Sequence, residues 1–344
     1  MKGVMGKRVA VLGTGAIGSS IGADLTKAGE EVTLIDQWPA HIEAMRARGV
    51  RVIMAEGEMH TPVQAMHVGE LCTLREPFDI VLLTAKSYDT CWMVELIKPY
   101  LRPDGVLVSL QNSLNDEWIA PLIGYRRDVA GVIELSAEIL EPGVIQRNTS
   151  PARTWFAVGE LHGRVTPRLD EIAGIIGAAG KTETSPNIWG AKWSKLTVNC
   201  MSQALSAILG IADWEISQDP RLLELSIRLG RECLQVGTAL GYRAEPIFGL
   251  SAEEFLGATD DVLKRALLTL FAHIGRKARN SMLQDLCKGR RSEIDFMNGL
   301  VAKKGREAGI PTPLNDEIAS LTRRIEGGDL RPAAENMVHL EKLI

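Results

Sequence analysis

The sequence predicts an α/β chain, with a doubly wound sheet in its N-terminal half and an all-helical domain after it. Three observations lead there. Short apolar, β-branched runs alternate with helix-period segments through the first half. A glycine-rich loop joins the first strand to the first helix. Beyond about Pro186 the alternation stops, and long helical periodicities separated by Gly, Pro and Asp run to the C-terminus.

In chain order, residues 1–6 read as a short lead and 8–12 as a buried strand. Residues 13–18 form the glycine loop, and 19–28 a helix stopped by Gly29. The strand over 31–35 ends at Asp36, and a helix over 41–48 stops at Gly49. Two further buried strands cover 79–84 and 105–110. A helix over 91–101 lies between them, with Pro103-Asp104-Gly105 as the turn. Strand-like pieces over 129–135, 143–148 and 154–158 continue the sheet in mixed form. Helices follow over 220–240, 252–256, 260–274 and 292–308. The expected domains are 1–186 and 187–344, with the boundary at Thr184-Ser185-Pro186-Asn187.

A chain of 344 residues is long enough for two full cores. Its net charge of −4 argues against a general nucleic-acid binder, which needs a strongly basic face. No apolar run reaches the roughly 18 residues of a membrane span, and the N-terminus lacks the features of a signal peptide. Five scattered cysteines with no CxxC pair exclude a disulfide framework and a cysteine zinc site, and fit a reducing cytoplasm. Six histidines lie scattered without metal-ligand spacing, so no metal is expected. The helical domain has apolar surface enough for a homodimer, with no signature that requires one.

Gly13-Thr14-Gly15-Ala16-Ile17-Gly18 matches GxGxxG. The spacing alone recurs by chance, but here it follows a strand and opens a helix, the context the motif requires. Gly13 permits the tight turn, Gly15 lets backbone approach a pyrophosphate, and Gly18 lets helix and strand pack closely. The helix N-terminus offers N–H groups to phosphate. The first domain is therefore Rossmann-like and dinucleotide-binding. Asp36 lies about 20 residues on, at the end of the second strand, where a carboxylate accepts from the adenosine ribose hydroxyls and repels a 2′-phosphate. Arg46 and Arg48 come only later, in the following helix. NAD(H) is expected over NADP(H). Lys86 and Asn112 each follow a strand, at the carboxyl edge where such sheets hold ligands.

In the helical domain Lys195, Asn199 and Gln203 recur every four residues and share one helix face. A lone lysine on an amphipathic helix ordinarily snorkels to water. A lysine stacked with two amides among apolar segments suits carbonyl chemistry: the ammonium polarises an oxygen and gives up a proton, and the amides hold a small polar substrate. A second polar cluster follows, with Ser281, Gln284, Asp285, Glu293 and Asp295. Glu293 can orient the ammonium or a substrate hydroxyl.

Together these positions resemble the ketopantoate reductase (2-dehydropantoate 2-reductase) family over almost the whole chain. The resemblance rests on the glycine loop, Lys86, Asn112 and the W-x-K-L-x-V-N-C run at 193–200. It also rests on S-M-x-Q-D at 281–285, E-I-D-x-x-N-G at 293–299 and G-I-x-T-P-x-N at 309–315. It implies a Rossmann domain and a helical domain with the active site between them, and NADPH-linked reduction of a 2-oxo acid in pantothenate synthesis. By the same resemblance Lys195 matches the general acid, and Glu293 the acid that places lysine and substrate. Asn199 and Ser281 match substrate-binding positions, Ser281 near the substrate carboxylate. Lys86 and Asn112 match residues lining the cleft at the nicotinamide. Three residues depart from the pattern. Gln203 stands where the family usually has a substrate-binding asparagine, Ser113 where it has glycine, and Asp36 where NADPH users have a neutral or basic residue. Two other expectations follow: an NAD-dependent D-2-hydroxy acid (mandelate-type) dehydrogenase, or another paralogue that does not act on ketopantoate. A redox sensor that binds dinucleotide without turnover is disfavoured, because Lys195 and Glu293 are both kept.

Overall fold

The computed structural model describes residues 6–245, 260–276 and 279–343. Most of the 1–6 lead and all of the helix expected over 252–256 lie outside them. The chain divides into two compact units, Met1–Ile188 and Trp189–Ile344.

The first unit runs β1 (Arg8–Leu12), α1 (Ala16–Lys27), β2 (Glu31–Asp36), α2 (Pro39–Arg48), β3 (Val50–Met54), β4 (Gly57–Thr61) and β5 (Gln64–His67). It continues with β6 (Phe78–Leu83), α3 (Thr90–Ile97), β7 (Leu101–Ser109), α4 (Asp116–Ile123), β8 (Asp128–Glu134), β9 (Ala137–Glu141), β10 (Val144–Arg147), β11 (Trp155–Glu160), α5 (Pro167–Ile176) and β12 (Lys181–Thr184). Eight strands form the main sheet, in the order β12-β11-β8-β7-β6-β1-β2-β5. The run from β8 to β5 is parallel, and β11 pairs antiparallel to β8. Winding runs outward from β1 in one direction and from β6 in the other, so the switch point lies between these two strands.

The central strands read as unbroken apolar runs because both their faces are covered. Val9 and Val11 of β1 enter one core cluster, with Ile80 and Leu82 of β6. The alternate residues Ala10, Leu12, Val81 and Leu83 enter the cluster on the opposite face.

Four local expectations are corrected. Residues 143–148 do not extend the main sheet: β10 sits in a separate four-stranded sheet, β4-β3-β10-β9. The turn expected at Pro103-Asp104-Gly105 is an irregularity inside β7, whose pairing to β6 jumps from Phe78↔Leu101 to Ile80↔Val106. The helix over 91–101 stops at Ile97, because Pro99 has no N–H and turns the chain into a 3-10 segment. The helix over 292–308 is broken by a 3-10 turn at Ile294–Phe296 and restarts at Asn298.

The small sheet is tied to α1 by Arg147 at the end of β10. This guanidinium is 1 % exposed and pairs with Asp24. It also donates to the Thr149 carbonyl (2.7 Å), Ser20 Oγ (3.2 Å), Thr154 Oγ1 (2.9 Å) and the Ala179 carbonyl (2.9 Å). A charge taken so far out of water needs this full set of acceptors.

The second unit is helical among its described residues: α6 (Ile188–Leu209), α7 (Pro220–Ala239), α8 (Asp260–Ile274), α9 (Ser281–Cys287), α10 (Asn298–Ala308), α11 (Pro313–Glu326) and α12 (Met337–Leu340). α6 is its axis, with Leu196, Val198, Met201, Leu205 and Ile208 fully buried. α7 comes close because Gly237 has no side chain; a Cβ there would stand 2.0 Å from the Trp193 ring nitrogen. No described helix is long and apolar enough to cross a membrane.

Candidate active site

In the first unit the glycine loop is set by close contact. Gly13 has φ +86°, and a Cβ on it would lie 2.6 Å from Ala85. A Cβ on Gly18 would lie 2.4 Å from Thr84 Oγ1. Thr84 Oγ1 donates instead to the Gly13 carbonyl at 2.8 Å. At Gly15 a Cβ would meet nothing within 4 Å, so the open side of the loop is at this residue. α1 starts at Ala16, earlier than the pattern suggested, with Gly15 as its cap. Ser19 N–H bonds back to the Gly15 carbonyl at 2.9 Å, while the amides before it precede the helical ladder and suit an anion. The loop fits a pyrophosphate: two glycines without room for a side chain, and a third facing open space.

Asp36 ends β2 beside this loop. Its Oδ1 accepts from the Trp38 amide at 2.9 Å, and its Oδ2 lies 3.4 Å from Thr14 Oγ1. Burial raises its carboxyl above the ordinary value, against the lowering effect of these hydrogen bonds and of His41.

The loops after β6 and β7 carry Lys86 and Asn112, both half-buried. Two buried amides cross-tie these loops. Gln111 Nε2 donates to the Ala85 carbonyl (2.8 Å) and Thr90 Oγ1 (2.9 Å). Asn115 Nδ2 donates to Ser87 Oγ (3.1 Å) and the Asn112 carbonyl (2.7 Å). Ser113, between them, has φ 74°, the one positive-φ non-glycine residue among those described. The loops of β1, β6 and β7 thus meet at one edge of the sheet, at its switch point.

In the second unit Lys195, Asn199 and Gln203 lie on α6 as the spacing required, with Lys195 and Gln203 half-buried and Asn199 buried. The fold brings Ser281 to the same helix: its hydroxyl faces Gln203 Oε1 at 3.4 Å. Glu293 is 5 % exposed, which makes it no ordinary surface charge. It precedes the 3-10 turn rather than lying within a helix. The segment after it is fastened to α6 by Asn298 Nδ2, which donates to the Cys200 carbonyl at 3.1 Å and to Asn315 Oδ1 at 2.9 Å.

Three further polar residues, absent from the sequence expectations, hold Ser281 in place. Asn280 caps α9, its Oδ1 accepting from Leu283 N–H at 2.9 Å. Its Nδ2 donates to Ser206 Oγ (2.7 Å), the Gln203 carbonyl (3.3 Å) and Asp213 Oδ1. Ser206 also donates to Asp213 at 2.5 Å. Burial pushes the Asp213 carboxyl up to about 6, against the lowering effect of Ser206 and Asn280. An asparagine just before the apolar run at 282–283 is a helix-start signal and was readable; Asp213 gave none.

Family models match both units: "Ketopantoate reductase PanE/ApbA" over residues 9–160, and its C-terminal counterpart over 187–326. The chain belongs to the ketopantoate reductase family. A 2-dehydropantoate 2-reductase of Pyrococcus horikoshii is 31 % identical, the match covering 93 % of this chain and 97 % of the relative. A PanE/ApbA family ketopantoate reductase from Ralstonia eutropha superposes with TM-score 0.79 at 29 % identity, covering 93 % of this chain and 99 % of the other. A D-mandelate dehydrogenase solved with NADH and anilino(oxo)acetate superposes with TM-score 0.81, over 93 % and 99 %. At 22 % identity it shares the fold. The chain is thus a ketopantoate reductase-like oxidoreductase of the CH–OH class that takes a nicotinamide cofactor.

Two predictions follow from this geometry. Glycine has no Cβ penalty at the φ of Ser113 but adds chain entropy to the unfolded state and removes a buried side chain, so Ser113→Gly is expected to change stability by no more than about 1 kcal/mol in urea unfolding; a larger loss would contradict it. Asp213 has a folded value of about 6 against 3.8 unfolded, so its neutral form favours the fold. Its contribution falls as pH rises from about 4 to about 6, by roughly 3 kcal/mol, then levels. Asp213→Asn, which keeps an acceptor for Ser206 and Asn280, loses correspondingly less stability than wild type between pH 4 and pH 7. Parallel pH–stability curves for the two proteins would refute this.

Proposed function

We propose that this chain reduces a 2-oxo acid with NADH, with Lys195 as the general acid. The observation that carries the proposal is the α6 face of Lys195, Asn199 and Gln203, joined by the Ser281 hydroxyl 3.4 Å from Gln203, in a chain of this family. When bound, the reduced nicotinamide supplies the hydride to the carbonyl carbon. Negative charge then grows on the carbonyl oxygen. The Lys195 ammonium stabilises that charge and passes a proton to it, giving the 2-hydroxy acid. Glu293 holds the ammonium and substrate in register. Asn199 and Gln203 bind the polar groups of the substrate, and Ser281 its carboxylate. Lys86 and Asn112 line the nicotinamide end, and residues 13–18 take the pyrophosphate.

NADH is preferred on two grounds. Asp36 would repel a 2′-phosphate at the ribose. The nearby arginines are committed elsewhere: Arg46 pairs with Glu43 and Glu70 and donates to the Ala65 carbonyl, and Arg48 donates to the Pro142 carbonyl at 3.5 Å. Gln203 is one methylene longer than the asparagine usual in the family, and its carboxamide reaches the Ser281 hydroxyl. The substrate is therefore a 2-oxo acid other than ketopantoate. The named activities of the relatives, 2-dehydropantoate reduction and mandelate oxidation, bracket the candidates.

Steady-state kinetics on ketopantoate and a panel of aliphatic and aromatic 2-oxo acids, each with NADH and NADPH, test this. The highest specificity constant is expected with NADH and a substrate other than ketopantoate; NADPH with ketopantoate in first place would sink the assignment of both Asp36 and Gln203. Lys195→Ala is expected to lower kcat by on the order of a hundred- to a thousand-fold while cofactor affinity is kept. Unchanged turnover in that variant would remove Lys195 from the chemistry.

A further inference from the structure

His41 lies on α2, outside every role assigned so far, yet its ring is completely buried. Its Nδ1 accepts from the Gly143 N–H, in the turn between β9 and β10, at 3.0 Å. An Nδ1 that accepts leaves the proton on Nε2. Nε2 lies 2.9 Å from Ser19 Oγ, so Nε2–H donates to that oxygen. Ser19 Oγ in turn donates to the Thr14 carbonyl at 2.7 Å. Donors therefore run in one direction, from the Gly143 amide through the imidazole and the serine hydroxyl to the second residue of the glycine loop. Trp38 stacks on the ring at 5.4 Å between centroids.

We propose that His41 is a positioning residue for the dinucleotide: through Ser19 its ring holds the Thr14 carbonyl turned into the core, and so keeps the glycine loop open to a pyrophosphate. A peptide carbonyl that swung outward at Thr14 would put a partial negative charge where phosphate binds. The tie also joins the loop to the small sheet, which gives the insertion of β3, β4, β9 and β10 a task in cofactor binding.

The ring works in one protonation state. A protonated His41 has no lone pair at Nδ1, so the Gly143 amide loses its acceptor and two N–H groups oppose each other. Burial holds its pKa below the ordinary value, against the raising effect of Asp36 and of a hydrogen bond to the Thr14 backbone. The neutral state therefore prevails at neutral pH and is lost on acidification. The groups around the ring are Asp36 from β2, the Ser19 hydroxyl from α1, the Gly143 amide from the β9–β10 turn and, on α2 itself, the Met45 sulfur near Ser19. Glu43 and Arg46, also on α2, are paired and exposed.

The inference rests on the reading that residues 13–18 cradle the pyrophosphate. It is tested by calorimetric titration of the full chain with ADP-ribose and, in parallel, 2′-phospho-ADP-ribose, at pH 7.5 and pH 5.5, with Tm recorded at both. Wild type is expected to lose affinity on acidification, by less than about tenfold at pH 5.5 because the ring's pKa lies below the ordinary 6.5. His41→Ala is expected to be about tenfold weaker at pH 7.5. His41→Gln has an acceptor and a donor on one planar group, so it is expected to bind within about twofold of wild type at pH 7.5 and to keep that affinity at pH 5.5. Asp36 is present in both proteins, so the difference between their pH profiles belongs to His41 and to the charge it exerts on Asp36. Equal pH dependence in wild type and His41→Gln overturns the proposal. So does a His41→Ala protein that is folded at 25 °C and binds like wild type. Should His41→Ala not fold, the comparison of wild type with His41→Gln decides alone. Wild type binding neither ligand would instead overturn the dinucleotide reading, and His41's part with it.

Discussion

The constraint on which the rest of the first unit depends is the absence of side chains at Gly13 and Gly18. The first turn of α1 lies against the ends of β1 and β6 at distances no Cβ tolerates, and Thr84 donates into the space so created. This contact puts the helix N-terminus at the sheet's switch point, where a parallel sheet opens a crevice for topological reasons. Lys86 and Asn112 reach the same edge because β6 and β7 neighbour β1 in the sheet. Chemistry could be placed elsewhere on this scaffold. A pyrophosphate, as proposed, would be confined to this loop, since close backbone approach and helix amides outside the ladder coincide here.

The second unit is held differently. Its helices meet through buried polar pairs as much as through apolar surface. The Glu232 carboxylate on α7 accepts from the amides of Leu314 and Asn315, each at 3.0 Å, and so stabilises the positive end of α11. Asn315 Nδ2 returns to the same carboxylate at 2.7 Å, and Asn298 passes the network on to α6. The cluster of Asn280, Ser206 and Asp213 does the same for α9. Such networks fix geometry, because a slip of one helix leaves several buried groups unpaired at once. That is what a face bearing Lys195, Asn199 and Gln203 needs if three side chains are to act on one small molecule.

These two modes explain what the sequence revealed. The β1–loop–α1 unit was legible because burial on both faces, glycine spacing and helix period all point to one structure over 20 residues. The line of Lys195, Asn199 and Gln203 was legible for a similar reason, since helix periodicity is local. The small sheet was not. Its strands are short and carry exposed residues between buried ones, as with Arg51 between Val50 and Val52, and the β3–β10 pairing that joins its two local hairpins links residues about 90 apart. Nor could Asp213 be read. Its meaning comes from Asn280, 67 residues away, and a lone aspartate before a tryptophan has the look of any turn. Glu293 was singled out by motif, but its burial and its place before a 3-10 turn came only from packing.

On the proposed reading, the three departures from the family pattern would alter selection and leave the proton transfer intact. Lys195 and Glu293, the groups that would meet developing charge, are kept. Gln203 lies two helical turns from Lys195, and its carboxamide oxygen lies 3.4 Å from the Ser281 hydroxyl. If substrate binds here as proposed, a group fitted to the shorter asparagine must either break that contact or leave its own partner unfilled, at a cost of at most about 1–3 kcal/mol. That is large enough to exclude one acid among several and too small to abolish turnover of an acid shaped to fit. Ser113 has the same character. Its backbone keeps the left-handed conformation that glycine adopts without strain, so the loop path is preserved while a side chain is added to it. Asp36, in the first unit, would on the proposed reading meet the ribose, where a single carboxylate can tell two cofactors apart without taking part in the hydride step. On the proposed reading, selectivity would thus rest on residues other than those that meet developing charge, where substitution costs least to the chemistry.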